Sequence, residues 1–210
     1  MRSRREHLVD IAIQAGGLAG SLVGNGFLIK AAWLSGRNSV ALAVSVYAAS
    51  LSAMFLCSLF NAIASRPSAK RWWRRLDHAA IYLLIVGTYT PFCLLAIEDA
   101  RGIGLLATLW LVAVIGVVAK LVFAESLHSL RIGTYLAMGW SILITADAVV
   151  ARLPPLALGL LAAGGVLYTL GVPVHCSNRL SYRHAIWHGA VLLASACHFG
   201  AVALVISEFG

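Results

Sequence analysis

The chain has 210 residues, of which 60% are hydrophobic and 11% are charged. A water-soluble domain carries about 25% charged residues, so this chain cannot cover a water-facing surface and takes lipid as its solvent. Its formal net charge of +8 sits in short basic clusters between apolar runs, which is the pattern of membrane topology and not of nucleic-acid binding.

A membrane-crossing helix needs ~20 mainly apolar residues. Seven such stretches follow one another, at roughly 10–30, 39–64, 78–97, 102–123, 132–150, 154–174 and 184–207, with short connections between them. The prediction is an all-α membrane protein: one seven-helix transmembrane domain over residues 1–210, with no soluble domain. Arg2, Arg4 and Arg5 resemble the start of a signal peptide, but Glu6 and Asp10 follow, and Gln14 and Asn25 interrupt the apolar run, so no cleavable signal is expected.

In the first span Gly16, Gly20 and Gly24 recur every four residues, which predicts a close-packing stripe of small residues. The second span ends in Cys57, Ser58 and Asn61. A dense basic cluster from Arg66 to Arg75 follows, with Trp72 and Trp73 at the level of the lipid headgroups. Asp77 opens the third span. The fifth is the weakest, because it carries Asp147 and its charge-free run covers only residues 132–146. The seventh opens with Arg183-His184-Ala185-Ile186-Trp187-His188. The four cysteines, Cys57, Cys93, Cys176 and Cys197, have no paired spacing and read as packing thiols.

Basic residues set the orientation. With the N-terminus in the cytoplasm, twelve of the sixteen Lys and Arg residues fall inside and four (Lys30, Arg37, Arg101, Arg152) outside. The expectation is N-terminus inside and C-terminus outside.

Ionisable groups within spans are costly and are functional candidates by default. Two histidines four apart on a helix lie on one face, a chelating geometry; the plainer reading of His184 and His188 is a pair of interfacial histidines at a helix start. On the topology above, Asp10 and Gln14, Cys57 and Asn61, Asp77, and His184 with His188 share one depth, in the cytoplasmic leaflet. Asp147 falls near the other end and reads as a helix-terminal carboxylate. His198 is ten residues beyond His188, ~15 Å deeper, and reads as a hydrogen-bonded interior histidine.

The stretch from Arg75 through Asp77-His78-Ala79-Ala80 to Gly87-Thr88-Tyr89-Thr90-Pro91-Phe92 resembles the signature of the hemolysin III family, the bacterial branch of the progestin and adipoQ receptor group. Tyr135 to Trp140, Gly164 to Gly171, His184 to His188 and His198-Phe199 agree with it. The resemblance runs from about residue 40 to the C-terminus. It implies a bacterial plasma (inner) membrane protein of seven helices. It also implies a zinc ion in the cytoplasmic leaflet, bound by a histidine near the end of span two and by the pair on span seven. An aspartate opening span three, Asp77 here, would hold a water against that ion.

This chain departs from the family pattern in span two, where the family's serine-x-x-x-histidine is Cys57-Ser58-Leu59-Phe60-Asn61. A neutral amide oxygen is a poor zinc ligand. Three arrangements stay open. Zinc can be held by His184, His188 and Asp77; Cys57 can add a thiolate, with Asn61 and Ser58 hydrogen-bonding to the ligands from behind; or the metal is lost and Asp77 pairs with a histidine or with Arg74.

Two functions follow. One is a zinc-dependent hydrolase of a lipid amide, ceramidase-like, with Asp77 as the catalytic residue that orients water or acts as base. The other is a non-catalytic membrane protein with a degenerate metal site, serving homeostasis, lipid sensing or cytolysis. In both cases the partners are membrane lipids. A light-driven or G-protein-coupled receptor is a weaker third option, since the only lysines are Lys30, Lys70 and Lys120, none lies in span seven, and the cytoplasmic connections are very short.

Overall fold

The computed structural model describes residues 3–122, 128–177 and 179–209; Arg2 of the basic N-terminus lies outside them. The described residues are helical almost throughout. In chain order the elements are α1 (Arg4–Leu34), α2 (Asn38–Ile63), α3 (Pro67–Pro91) running into a π-helical turn (Phe92–Ile97), α4 (Ala100–Val122), α5 (His128–Trp140), a 3₁₀ turn (Ser141–Thr145), α6 (Ala146–Arg152), α7 (Pro155–Cys176) and α8 (Arg183–Phe209). Seven helical segments are long and apolar enough to cross a membrane. Span five is α5, the 3₁₀ turn and α6 taken together.

Two helices start earlier than apolar composition predicts, and local chemistry explains both. The Ser3 side chain accepts from the backbone N–H of Glu6 while the Glu6 carboxylate accepts from the N–H of Ser3. This reciprocal capping box satisfies the free donors of a first helical turn, so α1 begins at Arg4. Pro67 occupies the first turn of α3, where its fixed φ suits a helix and its missing N–H costs nothing. The cluster from Lys70 to Arg75 is therefore helical and not a loop.

Helix α3 is the centre of the bundle. Its apolar window is 78% buried, against 17–50% for the other spans. It packs on α2, α4, α5 and α8, while α1 lies across α2 and α8, and α7 pairs with α8. Small residues permit these approaches. A Cβ on Gly87 would fall 2.1 Å from the Ser50 hydroxyl oxygen, and one on Gly164 would fall 2.3 Å from the His198 ring.

Of the predicted glycine stripe on α1, only Gly24 packs closely, where a Cβ would fall 2.8 Å from the Phe199 ring. A Cβ on Gly16 or Gly20 would meet nothing, and both residues are exposed. The face turned into the bundle is Asp10, Gln14, Gly17, Ser21, Asn25, Leu28 and Ala32. Without water as solvent, apolar side chains gain nothing by turning inward, whereas polar ones must find partners. Asn25 does so by donating to the Ala48 carbonyl and to Ser52, both at 3.0 Å. Gly17 lies on this inner face, against Phe55.

The weak fifth span is a broken helix. At membrane depth every backbone polar group needs a protein partner, and the break is served by one buried phenol. Tyr89 Oη lies 2.9 Å and 2.8 Å from the carbonyl oxygens of Met138 and Gly139, and it accepts from the Ile142 N–H at 2.8 Å and from Ser141 Oγ at 3.2 Å.

Candidate functional site

The polar inner face of α1 meets α2, α3 and α8 at the end of the bundle where α1 begins, α2 joins α3, and α8 starts. Four helices contribute one side chain or more. From α1, the Asp10 carboxylate sits 2.5 Å from His188 Nδ1 on α8, and Asp10 is fully buried. One turn further on, Gln14 Nε2 donates to Ser58 Oγ of α2 at 2.6 Å, with both residues buried. Also from α2, Asn61 Nδ2 donates to Asp77 Oδ2 on α3 at 2.8 Å. Ser58 is a second hydrogen-bond partner of Asp77, and His188 and Lys70 act on its carboxylate as nearby charges. Lys70, in the first turns of α3, donates its ammonium to the Asn61 carbonyl oxygen.

The geometry explains each polar orientation. An ionised carboxylate only accepts hydrogen bonds, so the Asn61 amide turns its nitrogen to Asp77. That leaves Asn61 Oδ1 buried and without a hydrogen-bond partner, an uncommon condition for a polar atom. His188 engages Asp10 through Nδ1, which leaves Nε2 as its other coordinating atom. His184 stands one turn earlier on α8 and is partly buried. Cys57 is partly buried against the core and within electrostatic reach of Asp77.

The structure thus brings together Asp77, Ser58, Asn61 and His188 of the predicted site, joins to them Asp10 and Gln14, which the sequence placed at the same depth, and adds Lys70. The signal for Asp10 and Gln14 is present in the sequence. Asp10, Gln14, Ser21 and Asn25 fall on one helical face of an otherwise apolar span, at spacings of four, seven and four. What the sequence does not carry is the pairing of Asp10 with His188, 178 positions away.

Whether these residues suit a zinc ion turns on donors and on convergence. The donors fit. Metal-binding histidines almost always give their second ring nitrogen to a carboxylate or carbonyl, and Asp10 stands in that relation to His188. A buried amide oxygen without a partner lies beside them. Among the described residues, however, no three His, Cys, Asp or Glu side chains converge to hold a metal ion.

The remaining candidates lie elsewhere. Asp147 is exposed in the first turn of α6 and pairs with Arg101 Nη1 at 2.8 Å. It is the helix-terminal carboxylate expected. His198 Nε2 lies 3.4 Å from the Leu161 carbonyl oxygen, with its ring 5.5 Å from that of Tyr168; it is an interior histidine bound to backbone. His78 turns away from Asp77, and its Nδ1 lies 3.2 Å from Arg131 Nη1 on α5.

Comparison with known proteins agrees with this arrangement of helices. The family profile described as Haemolysin-III related matches residues 6–199. Hemolysin-3 of Bacillus cereus is 36% identical over 164 residues, covering 78% of this chain and 75% of that protein. The Hemolysin-3 homolog of Bacillus subtilis (strain 168) is 34% identical over 155 residues, covering 74% and 73%. More distantly, the Monocyte to macrophage differentiation factor of Homo sapiens is 30% identical over 168 residues, covering 75% and 67%. With seven apolar helices and a family match over nearly its whole length, this chain is an integral membrane protein and belongs to the haemolysin III family.

Proposed function

We propose that the Asp10–His188–Asp77 cluster is a zinc site in the cytoplasmic leaflet of a bacterial plasma membrane, and that it supports hydrolysis of a lipid amide. The observation that carries this reading is the bond from Asp10 to His188 Nδ1, which sets the imidazole with Nε2 available and raises its basicity as a ligand. His184 and His188 would hold the ion, with Asp77 completing the set as a direct ligand or through water. Two histidines and a carboxylate with an open position form a known catalytic combination. Bound zinc polarises a carbonyl and makes water more acidic, the two needs of amide hydrolysis at neutral pH. Asp77 would orient a water at the site and take up its proton. Asn61 and Ser58 hold the Asp77 carboxylate in place, and Gln14 holds Ser58. A lipid substrate enters sideways from the bilayer, so its amide reaches the site without crossing water.

Metal analysis of the purified protein tests the proposal. The expected result is about one zinc per chain, absent from His188→Ala and His184→Ala, together with release of fatty acid from a ceramide-type substrate. Metal-free protein of normal stability, purified without chelator, overturns it.

A second reading is favoured by one specific contact. The Asn61 amide meets Asp77 from the position where the family pattern places a third histidine, and Lys70 brings a positive charge to the same carboxylate. On this reading the site is a self-satisfied polar network in a non-catalytic membrane protein for homeostasis, lipid sensing or cytolysis. Asn61→His separates the two. A gain in zinc content or in lipid amidase activity supports the zinc site; no change in either supports the network.

A further inference from the structure

A different part of the bundle carries an inference that does not depend on the metal. Helices α4 and α5 scarcely touch, and α5 is held through α3 and α7 instead. Between them runs an open groove of about 580 Å³, lined by Leu109 and Val112 of α4, by Gly133, Thr134 and Ala137 of α5, and by Ser141 of the 3₁₀ turn. Of its lining residues, Ser141 donates to Tyr89 Oη in the network that secures the 3₁₀ break. From Arg131 to Ser141 is ten residues, ~15 Å of helix, which is half the ~30 Å hydrocarbon core and so the depth of one leaflet.

The groove's end nearest the α4–α5 connection is basic. Arg131 lies less than one turn before Gly133. The charges of Arg131, Arg74 and Arg75 act together on Lys120, and those of Arg131, Lys120 and Arg74 act on His78. Arg75 is drawn in by its bond to the Leu121 carbonyl at 3.2 Å. Lys120 thus lies within electrostatic reach of three arginines, and the four cations come from three helices. Topology needs basic residues on one side of the membrane but does not need them converged. Basic pockets between transmembrane helices bind anionic lipid headgroups.

We infer that this groove and its basic mouth form a binding site for one anionic phospholipid, with the phosphate among Lys120, Arg131, Arg74 and Arg75 and an acyl chain lying between α4 and α5. The charge of the mouth selects the headgroup, and the apolar walls of the groove select a lipid over a free anion. The connecting residues 123–127, Glu125 among them, lie outside the described residues.

The test uses the full chain in detergent, with native mass spectrometry and thermal unfolding. The probes are phosphatidylglycerol, phosphatidylcholine with the same acyl chains, glycerol 3-phosphate and inorganic phosphate. Phosphatidylglycerol is expected to bind at least ten-fold more tightly than phosphatidylcholine and to raise the unfolding temperature, while the two chainless phosphates do neither. Lys120→Gln removes a charge worth about five-fold in affinity. Gly133→Leu fills the groove from an exposed position whose Cβ meets nothing, and improves helix propensity; it is expected to abolish the preference while the protein folds normally. Equal binding of both lipids, indifference to both substitutions, or a lipid-independent dimer that buries the groove would each overturn the inference.

Discussion

At the scale of single residues, two buried contacts decide what the site can do. Asp10 reaches His188 and Asn61 reaches Asp77, so two of the groups that could ligate a metal, His188 and Asp77, are already fixed by a neighbour. Under the zinc reading, Asp10→Asn keeps the side chain's size but loses the charge that sets His188. The expected outcome is a 10–100-fold fall in zinc affinity, measured by competition with a fluorescent chelator, with little loss of helical content. Tyr89 is the second residue with a large role. Tyr89→Phe leaves the Ile142 N–H without its partner at membrane depth, and about 1–3 kcal/mol of destabilisation is expected, read as a lower unfolding temperature in detergent. Neither pairing was legible in the sequence. The Asp10–His188 and Tyr89–Ile142 contacts join positions 178 and 53 apart, and no periodicity links two helices.

At the scale of elements, the helices follow local rules that the sequence does express. The capping box at Ser3 and Glu6, Pro67 in a first turn and Pro155 opening α7 are each visible as residue types at fixed offsets. Helix α4 starts in the same way. Asp99 Oδ1 accepts from the Gly102 N–H at 2.8 Å. That bond, with support from Arg101, holds the Asp99 carboxyl below the ordinary carboxylate range. A carboxyl lowered by folding contributes stability above its unfolded pKa of about 4 and loses it as pH falls through the lower folded value. Asp99→Ala is therefore expected to increase amide exchange in the first turn of α4 at neutral pH, and to differ little from the parent protein in strong acid. The glycines of α1 show where local reading fails. A stripe of small residues is visible at Gly16, Gly20 and Gly24, but the bundle packs closely only on the last of these, and otherwise uses Gly17 and the polar face beside it. Gly16→Ala is expected to be neutral or slightly stabilising, because its Cβ meets open space and alanine favours helix. Gly164→Ala forces its Cβ into the His198 ring and towards the Ala194 carbonyl, and about 1–3 kcal/mol of overpacking is expected. Comparing the two unfolding temperatures checks both.

At the scale of the whole molecule, charge asymmetry and the polar site point to one end. The proposed orientation puts the N-terminus, the Asp10–His188 cluster and the basic mouth of the α4–α5 groove in the cytoplasmic half. Reporter fusions check it: a C-terminal fusion is expected to be active only as an extracytoplasmic reporter, and an N-terminal one only as a cytoplasmic reporter. The number of spans, the all-helical class and the family membership all follow from the chain read by itself. Lipid solvent demands apolar runs of a set length, and those runs survive in composition whatever their neighbours are. His184, His188 and Asp77 were also visible there, because a costly polar group in an apolar span stands out against its background. Only the tertiary structure decided which face of α1 turns inward, that span five breaks at Ser141, that Asp10 completes the His188 environment, and that Asn61 faces Asp77. Each of these depends on a hydrogen bond between helices distant in sequence, and in a membrane such bonds select the packing, since burying apolar surface cannot distinguish protein from lipid.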